Sequence, residues 1–244
     1  MVKRGKLLIM EGLDRSGKST CAKALVPWLN NQGLPAIYVK APGQTPMGQV
    51  LRQMVINQEI DATEAVAHYQ DQPATIPTPI GDQLAIELLH LADLRETATQ
   101  VILPALEAGT HVICDRFHNS TRAYAAAHKV SASWIEMQIG LCIPEWLREQ
   151  AVNLHFQLSV ETFAERRQQY GVVDPLDAYD LSFYREVASV YHQLVENDRP
   201  TTIPEYWITV DAERSQEEVL TFVQSQILTS MWVSGLVTST VYPA

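Results

Sequence analysis

One short segment near the start of the chain restricts its fold more than any other. An apolar run, Lys6–Met10, leads directly into Gly12-Leu13-Asp14-Arg15-Ser16-Gly17-Lys18-Ser19, which fits the pattern G-x-x-x-x-G-K-[ST]. The residues after it predict a helix from Lys18 to about Leu29, which Pro27 should bend or shorten. A strand, a glycine-rich loop and a helix in this order form a phosphate-binding loop, because backbone N–H groups and the positive helix end converge on the anion.

The remainder of the chain alternates strand-like and helix-like segments. The further predicted strands are apolar runs, and they are Ala36–Val39, Thr110–Cys114, Val152–Leu158 and Tyr206–Val210. Further helices are expected from Pro46, near Glu161 to Gln169, through Phe183–Leu194 and after the last strand, and the longest runs from a cap at Asp82 to near Gly109. This alternation is typical of the α/β class, so we predict a three-layer α/β/α P-loop fold with a parallel central sheet of about five strands. Strict apolar–polar alternation in Val152–Leu158 predicts one solvent-facing side and a place near the sheet edge.

The chain is expected to form one nucleotide-binding domain over residues 1–230. A segment near 166–180 with glycine, aspartate and proline is predicted to be a lid, and the proline-rich stretch 58–81 is predicted to be a long loop. No charged residue occurs from Leu220 to Ala244, but glutamine, serine and threonine interrupt the apolar run. We therefore favour a last helix and an uncharged tail over 231–244, and we expect no membrane span.

The charge balance and the cysteines limit the partners. The chain carries 28 acidic and 18 basic side chains, a formal charge of −10, so DNA or RNA would be repelled over most of the surface. A small phosphate ester needs only a few N–H groups and one or two cations, so it stays an acceptable ligand. Cys21, Cys114 and Cys142 show no paired spacing, which is typical of a reducing cytoplasm and argues against zinc and disulfides.

The loop residues have distinct expected roles in binding ATP. Nine consecutive residues are expected to contact the nucleotide: Gly12, Leu13, Asp14, Arg15, Ser16, Gly17, Lys18, Ser19 and Thr20. Lys18 should reach the β- and γ-phosphates, and Ser19 should place its hydroxyl on Mg²⁺. Arg15 has two interpretations, a cation that neutralises transition-state charge or a solvated loop arginine. For the whole loop, the alternative is a glycine turn that binds nothing and leaves Lys18 unexplained at a helix start.

A second charged site is predicted where Asp115-Arg116 follows the third strand. The carboxyl ends of parallel strands form the edge where ligands bind in open α/β sheets. Asp115 is the expected metal ligand beside Ser19, and Asp14 is expected to orient metal-bound water or to accept a sugar hydroxyl. The alternative is a structural Asp115–Arg116 ion pair. The expected catalytic groups, which offset or organise the charge of two bound anions, are Asp14, Arg15, Lys18 and Arg116.

Several segments together resemble the thymidylate kinase family. Glu11–Thr20 is similar to the loop of members that carry their catalytic arginine within it. Pro42–Gly48 resembles the family stretch P-G-G-T-x-x-G, Ala92–Arg95 resembles a segment ending in arginine, and Asp115–Tyr124 resembles D-R-[YF]-x-x-S-[ST]-x-A-Y. The similarity extends from Leu7 to about Gln226, so it covers most of the chain.

The resemblance implies an acceptor site for dTMP. In the family pattern Arg116 binds the monophosphate, Lys40 stands where an arginine helps to hold that phosphate, and Tyr124 lies against the deoxyribose. The full set of expected acceptor-binding residues is Asp14, Lys40, Leu91, Arg95, Arg116, Thr121 and Tyr124.

The base and lid contacts depart from the family pattern. The resemblance places Thr121 and Arg95 at the thymine, but Leu91 stands where the family has the aromatic ring that stacks on it. Asp174-Pro175 replaces an Asp-Arg pair in the lid. Two interpretations stay open for the arginines at 166 and 167, an adenine-side contact or a solvated helix face, and we favour solvation because Arg15 already fills the catalytic position.

The resemblance predicts a kinase that transfers the γ-phosphoryl group of ATP to dTMP, with ATP and Mg²⁺ as cofactors. Two alternatives stay open: a kinase for another deoxynucleoside monophosphate, suggested by Leu91, and a catalytically inactive nucleotide-binding regulator, suggested by the altered lid. Family members are commonly homodimers, and the helix from Asp82 to Glu107 has enough apolar positions to face a core and a partner.

Overall fold

The framework of the protein is a sheet of five parallel strands. The computed structural model describes four stretches of the chain, residues 4–57, 82–170, 179–196 and 205–230. The strands are β1 (Leu7–Gly12), β2 (Ala36–Lys40), β3 (His111–Asp115), β4 (Val152–Gln157) and β5 (Tyr206–Asp211). Their order across the sheet is β2-β3-β1-β4-β5, so the strand before the glycine-rich loop is central.

Helices connect the strands. In chain order the described helices are α1 (Lys18–Asn31), α2 (Pro46–Asn57), α3 (Gln83–Thr97), α4 (Leu103–Glu107), α5 (His118–Ala127), α6 (Ala132–Cys142), α7 (Glu145–Glu149), α8 (Val160–Tyr170), α9 (Leu181–Val195) and α10 (Gln216–Ser230). A π-helical turn, Ala98–Ile102, joins α3 to α4. Asp82 caps α3, because its carboxylate accepts the N–H of Ala85 at 2.8 Å. None of these helices combines the length and apolarity needed to cross a bilayer.

Side chains of β1 alternate between two hydrophobic cores. Leu8 and Met10 pack in the core that α1, α9 and α10 share, whereas Leu7 and Ile9 pack in the core that α3 and α6 share. All four are at most 2% exposed. Because successive strand residues point to opposite faces, a run that is apolar throughout requires helices on both faces. The predicted three-layer fold is confirmed.

All five predicted strands are confirmed, with ends that differ by one or two residues. The solvent-facing side predicted for β4 is wrong, because Asn153 and His155 are only 0% and 7% exposed. The His155 ring stacks on Tyr191 of α9 with ring centroids 5.4 Å apart. Two of the three polar positions of this strand are therefore buried, whereas Gln157 at its end is exposed; the strand lies next to the edge strand β5.

Other helix predictions were partly met. Helix α1 continues through Pro27 to Asn31, beyond the predicted end. Helices α5, α6 and α7 follow β3 without having been predicted, since polar side chains occupy several of their buried positions. Most of the predicted lid, the loop 58–81 and the tail 231–244 lie outside the described residues.

A buried polar network joins α5 to the sheet. Glu205, directly before β5, places its carboxylate 3.0 Å from Nε2 of His118 and accepts hydrogen bonds from Asn119 at 2.8 Å and Arg122 at 2.5 Å. Asn153 of β4 also donates to it, at 3.3 Å. His118 and Arg122 are 0% and 4% exposed, so one carboxylate satisfies several buried donors at once.

We predict that Glu205→Ala lowers the free energy of unfolding by about 3 kcal/mol, because it leaves buried donors of Arg122 and His118 without their acceptor. Urea denaturation measures the change. The exposed Glu107 on α4 provides the control, since Glu107→Ala should change the free energy by less than about 0.5 kcal/mol. A loss below about 1 kcal/mol for Glu205→Ala would contradict the assigned role of this network.

Candidate active site

A cavity of 1190 Å³ opens at the carboxyl edge of the sheet. It exceeds the roughly 300–1,000 Å³ of a typical small-molecule cleft, so it has room for more than one ligand. The glycine-rich loop after β1 forms its centre, residues after β5 line one part, and residues after β2 and β3 line another. The central position of β1 therefore places the loop between two groups of side chains.

The loop conformation depends on glycine at two positions. Gly12 has φ 135°, and a Cβ atom there would lie 2.5 Å from the carbonyl oxygen of Phe156. Gly17 has φ 89° and caps α1, so the loop turns sharply into the helix. Arg15 also has a positive φ, 62°, which is uncommon for a residue with a side chain. This backbone gives the N–H groups of the loop a common centre.

Lys18 lies folded against the loop that is predicted to bind phosphate. Its Nζ donates to the carbonyl of Leu13 at 2.5 Å and to Oγ of Ser16 at 3.1 Å. Burial and, to a smaller degree, the positive charge of Arg116 lower the pKa of Lys18 to about 7. A polyanion bound beside Lys18 would stabilise its protonated, positively charged form, so the charge of this lysine favours anion binding.

Ser19 and Asp115 meet as predicted from the sequence. The Ser19 hydroxyl donates to Oδ2 of Asp115, and the hydroxyl of Tyr38 donates to the same oxygen at 3.0 Å. A hydroxyl and a carboxylate in contact beside a phosphate-binding loop are the oxygen ligands that Mg²⁺ prefers. Within the described ranges, no group of three or more His, Cys, Asp or Glu side chains is placed to hold a metal ion.

Arg116 connects the end of β3 to the glycine-rich loop. One guanidinium nitrogen donates to the Gly12 carbonyl and to the Ser120 hydroxyl, both at 3.0 Å, and the other lies 2.6 Å from Oδ1 of Asp14. The hydroxyl of Tyr124 donates to Oδ2 of Asp14 at 3.0 Å. The ion pair that Arg116 forms is therefore with Asp14, and not with Asp115 as the alternative interpretation expected.

The charge of Asp14 is secured by its neighbours. Desolvation opposes ionisation, but the positive charges of Arg116 and Lys18 outweigh it and hold the pKa of Asp14 well below its usual range. Thr121 and Tyr124 line the same part of the cavity as Arg116. The structure therefore brings together five residues that were predicted from the sequence, namely Asp14, Lys18, Arg116, Thr121 and Tyr124.

Two further cations reach the cavity from the β2 side. The predicted Lys40, at the end of β2, lines it, and so does Arg52 of α2, which the sequence did not indicate. The guanidinium of Arg52 donates to the Pro42 carbonyl at 3.1 Å. Its only sequence signal is its place one to two turns after the helix start at Pro46, too weak to separate it from a surface arginine.

The structure does not bring Leu91 and Arg95 to the cavity. Leu91 is 3% exposed within the core beneath α3, and Arg95 is exposed and donates to the carbonyl of Cys142 in α6. The α3 face that lines the cavity carries Glu87 and His90 instead. Residues at i and i+3 share a helix face, and a shift of one residue rotates a side chain by about 100°. The side chain that lines the cavity here is therefore that of His90, the neighbour of Leu91.

The cavity face of α3 has unusual ionisation. Burial raises the pKa of Glu87 to about 7, although Gln83 donates a hydrogen bond to its carboxylate at 3.0 Å. Burial, together with the charges of His128 and Arg52, lowers the pKa of His90 to about 4. His90 is therefore uncharged near neutral pH, whereas Glu87 is about half ionised there, and Asp93, whose pKa burial raises to about 6, is mostly ionised.

Arg166 of α8 belongs to the site, so the interpretation of a solvated helix face is wrong for it. It donates to the carbonyl of Arg15 at 2.9 Å and to the carbonyl of Ala212 at 3.0 Å, and it lines the cavity. The neighbouring Arg167 donates to the Tyr179 carbonyl at 2.9 Å. Arg166 thereby links the loop to the residues that follow β5.

This chain is similar in sequence to known proteins of one family. The family model for thymidylate kinase matches residues 10–223. The chain is 31% identical over 225 residues to a probable thymidylate kinase of Pyrococcus abyssi, an alignment that covers 92% of this chain and 98% of that protein. It is 29% identical to the thymidylate kinase of Legionella pneumophila, covering 91% of this chain and 94% of that protein. A thymidylate kinase of Halothermothrix orenii is 29% identical, with 88% and 93% covered.

We predict that the difference in unfolding free energy between Glu87→Gln and the parent, both without ligand, shifts in favour of the variant from pH 5 to pH 8. The pKa of Glu87 is raised from 4.5 to about 7 in the folded protein. Its contribution to the free energy of unfolding is therefore full below pH 4.5 and is lost as the pH rises through 7. The variant should gain about 2 kcal/mol over the parent between these pH values, measured by urea denaturation. The control Glu107→Gln, at an exposed site, should show no such gain, and equal differences at both pH values for Glu87→Gln would refute the raised pKa.

Proposed function

The chain belongs to the thymidylate kinase family, and we propose that it transfers the γ-phosphoryl group of ATP to dTMP, giving ADP and dTDP. One observation carries the proposal. The guanidinium of Arg116, assigned to the acceptor phosphate, lies 3.0 Å from the carbonyl of Gly12 in the loop assigned to ATP. Phosphoryl transfer needs its donor and acceptor anions to be held in contact, and this bond sets the two binding groups side by side.

The donor triphosphate is assigned to the loop Gly12–Thr20. Its N–H groups and the start of α1 bind the phosphates, and Lys18 exchanges its bonds to Leu13 and Ser16 for phosphate oxygens. The side chain of Arg15 is assigned to the charge that develops during transfer. Arg166 supports that role, because it holds the Arg15 carbonyl and with it the backbone of the loop.

The acceptor phosphate is assigned to Arg116, with Lys40 and Arg52 as further cations. Asp14 keeps the Arg116 guanidinium in place, and Tyr124 flanks it with the guanidinium carbon 5.4 Å from the ring centroid. No strong base is required, since the acceptor phosphate is already an anion and the transition state is loose. The chemistry is therefore positioning and charge neutralisation.

The acceptor ring is assigned to the cavity part lined by Thr121 and by the α3 face with Glu87 and His90. His90 is uncharged near neutral pH and therefore suits contact with an uncharged pyrimidine. Leu91 then contributes through the core, by supporting the backbone of the helix behind His90.

The metal is assigned to Ser19 and Asp115. When bound there, Mg²⁺ neutralises charge on the phosphate oxygens. Tyr38 holds the carboxylate of Asp115 toward the loop through its hydroxyl. We place the reaction in the cytoplasm, which is supported by three free thiols, Cys21, Cys114 and Cys142.

We predict that dTMP gives the highest kcat/KM among dTMP, dUMP, dCMP, dGMP and dAMP in a coupled ADP-release assay.

Arg15→Ala should lower kcat by about 10³-fold while the Kd for ATP changes by less than about tenfold, because the arginine acts mainly on the transition state. Arg185→Ala, a surface variant on α9, is the matched control and should keep full activity. Better turnover of another acceptor would overturn the proposed substrate, and full activity of Arg15→Ala would overturn the proposed catalytic role.

A homodimer is also proposed, through α2 and α3. Met47, Val50, Leu84 and Leu88 are 43–54% exposed on these two helices, which pack on each other. Exposed apolar side chains in such a group favour association.

We predict that the double variant Val50→Glu with Leu88→Glu is a monomer by light scattering at a concentration where the parent is a dimer. The exposed Leu228 of α10 supplies the control, since Leu228→Glu should leave the mass unchanged; a monomeric parent would refute the dimer.

A further inference from the structure

Glu11 is a completely buried carboxylate beside the candidate active site. It is the second-last residue of β1, is 0% exposed and does not line the cavity. A charged side chain in an apolar strand is costly unless its oxygens are fully hydrogen-bonded. Its contacts therefore indicate what the charge is retained for.

The hydrogen bonds of Glu11 lead to the segment that follows Arg116 and to Tyr191 of α9. Oε1 accepts the N–H groups of Phe117 at 3.0 Å and Ser120 at 3.2 Å. Oε2 accepts the hydroxyls of Ser120 at 2.5 Å and Tyr191 at 3.1 Å. Helix α5 has no side-chain cap of its own, so a strand residue more than 100 positions earlier satisfies its first turn.

The same two hydroxyls contact Arg116. Its guanidinium lies 3.0 Å from Oγ of Ser120 and 3.4 Å from the hydroxyl of Tyr191. The Arg116 backbone has φ 66°, a conformation that a residue with a side chain holds only when its surroundings fix it. Glu11 binds the next N–H along the chain and both hydroxyls, so it restrains this arginine from the backbone and from the side chain.

We propose that Glu11 is a positioning residue for the acceptor, which acts through Ser120 and Tyr191 to hold Arg116 at the acceptor phosphate. The inference rests on the proposed function, because it requires Arg116 to bind that phosphate. Glu11 is joined by one peptide bond to Gly12, so the strand that presents the donor loop also orients the acceptor cation. Loss of the carboxylate charge releases the arginine and leaves the donor loop in place.

Glu11→Gln and Tyr191→Phe test this role by steady-state kinetics and thermal melting. Glu11→Gln keeps an oxygen for the two N–H groups but loses the charge, and it should raise the KM for dTMP about tenfold with the KM for ATP within about twofold. Tyr191→Phe removes one hydroxyl and should raise the KM for dTMP about threefold. Glu136→Gln is the matched control, since this buried carboxylate pairs with Arg122 and Arg148 and does not reach Arg116.

The outcomes separate positioning from simple stability. Positioning predicts a changed KM for dTMP in both Glu11→Gln and Tyr191→Phe, and an unchanged one in Glu136→Gln even where its melting temperature falls. An unchanged KM for dTMP in Tyr191→Phe and in folded Glu11→Gln overturns the inference. Equal increases of the KM for ATP and for dTMP overturn it as well. If the parent protein itself fails to phosphorylate dTMP, the proposed function fails, which is visible in the same assay.

Discussion

The hydrogen bond from Arg116 to the Gly12 carbonyl is the interaction on which the site depends. It is possible because β1 and β3 are parallel neighbours in which Met10 pairs with Asp115, so the residues that follow both strands emerge side by side. The sheet register thus sets the distance between the two anion-binding groups before any nucleotide enters. In the proposed assignment, this arrangement brings together the donor and acceptor phosphates, which repel each other.

Carboxylates determine where the cations of this site lie. Asp14 holds one side of the Arg116 guanidinium, and Glu11 restrains it through hydroxyl groups from the other direction. Lys18, whose pKa is lowered to about 7, lies against loop oxygens that a phosphate can replace. In a chain with a formal charge of −10, attraction for nucleotides is therefore local, and it arises from cations whose protein partners are exchanged or shared on binding.

The parts of the fold and site that were predictable are those encoded by contiguous residues. The loop Gly12–Ser19 carries its geometry in its own glycines and in the strand and helix that flank it. The position of Arg116 follows from a general rule, that ligands bind at the carboxyl ends of parallel strands. The five strands were visible because each is a short apolar run, and even β4 was found despite its buried polar residues.

What could not be predicted depends on packing between distant segments. Leu91 and His90 differ by one position, and only the contacts of α3 with its core decide which of them faces the cavity. Glu11 and Glu205 bind partners 180 and 87 residues away, respectively, so no local pattern reveals them. The residues proposed to hold the phosphates, which every nucleotide carries, belong to a local motif, whereas residues fixed by packing line the wall where the acceptor ring is proposed to lie. Motifs therefore identify the reaction more readily than the choice of acceptor.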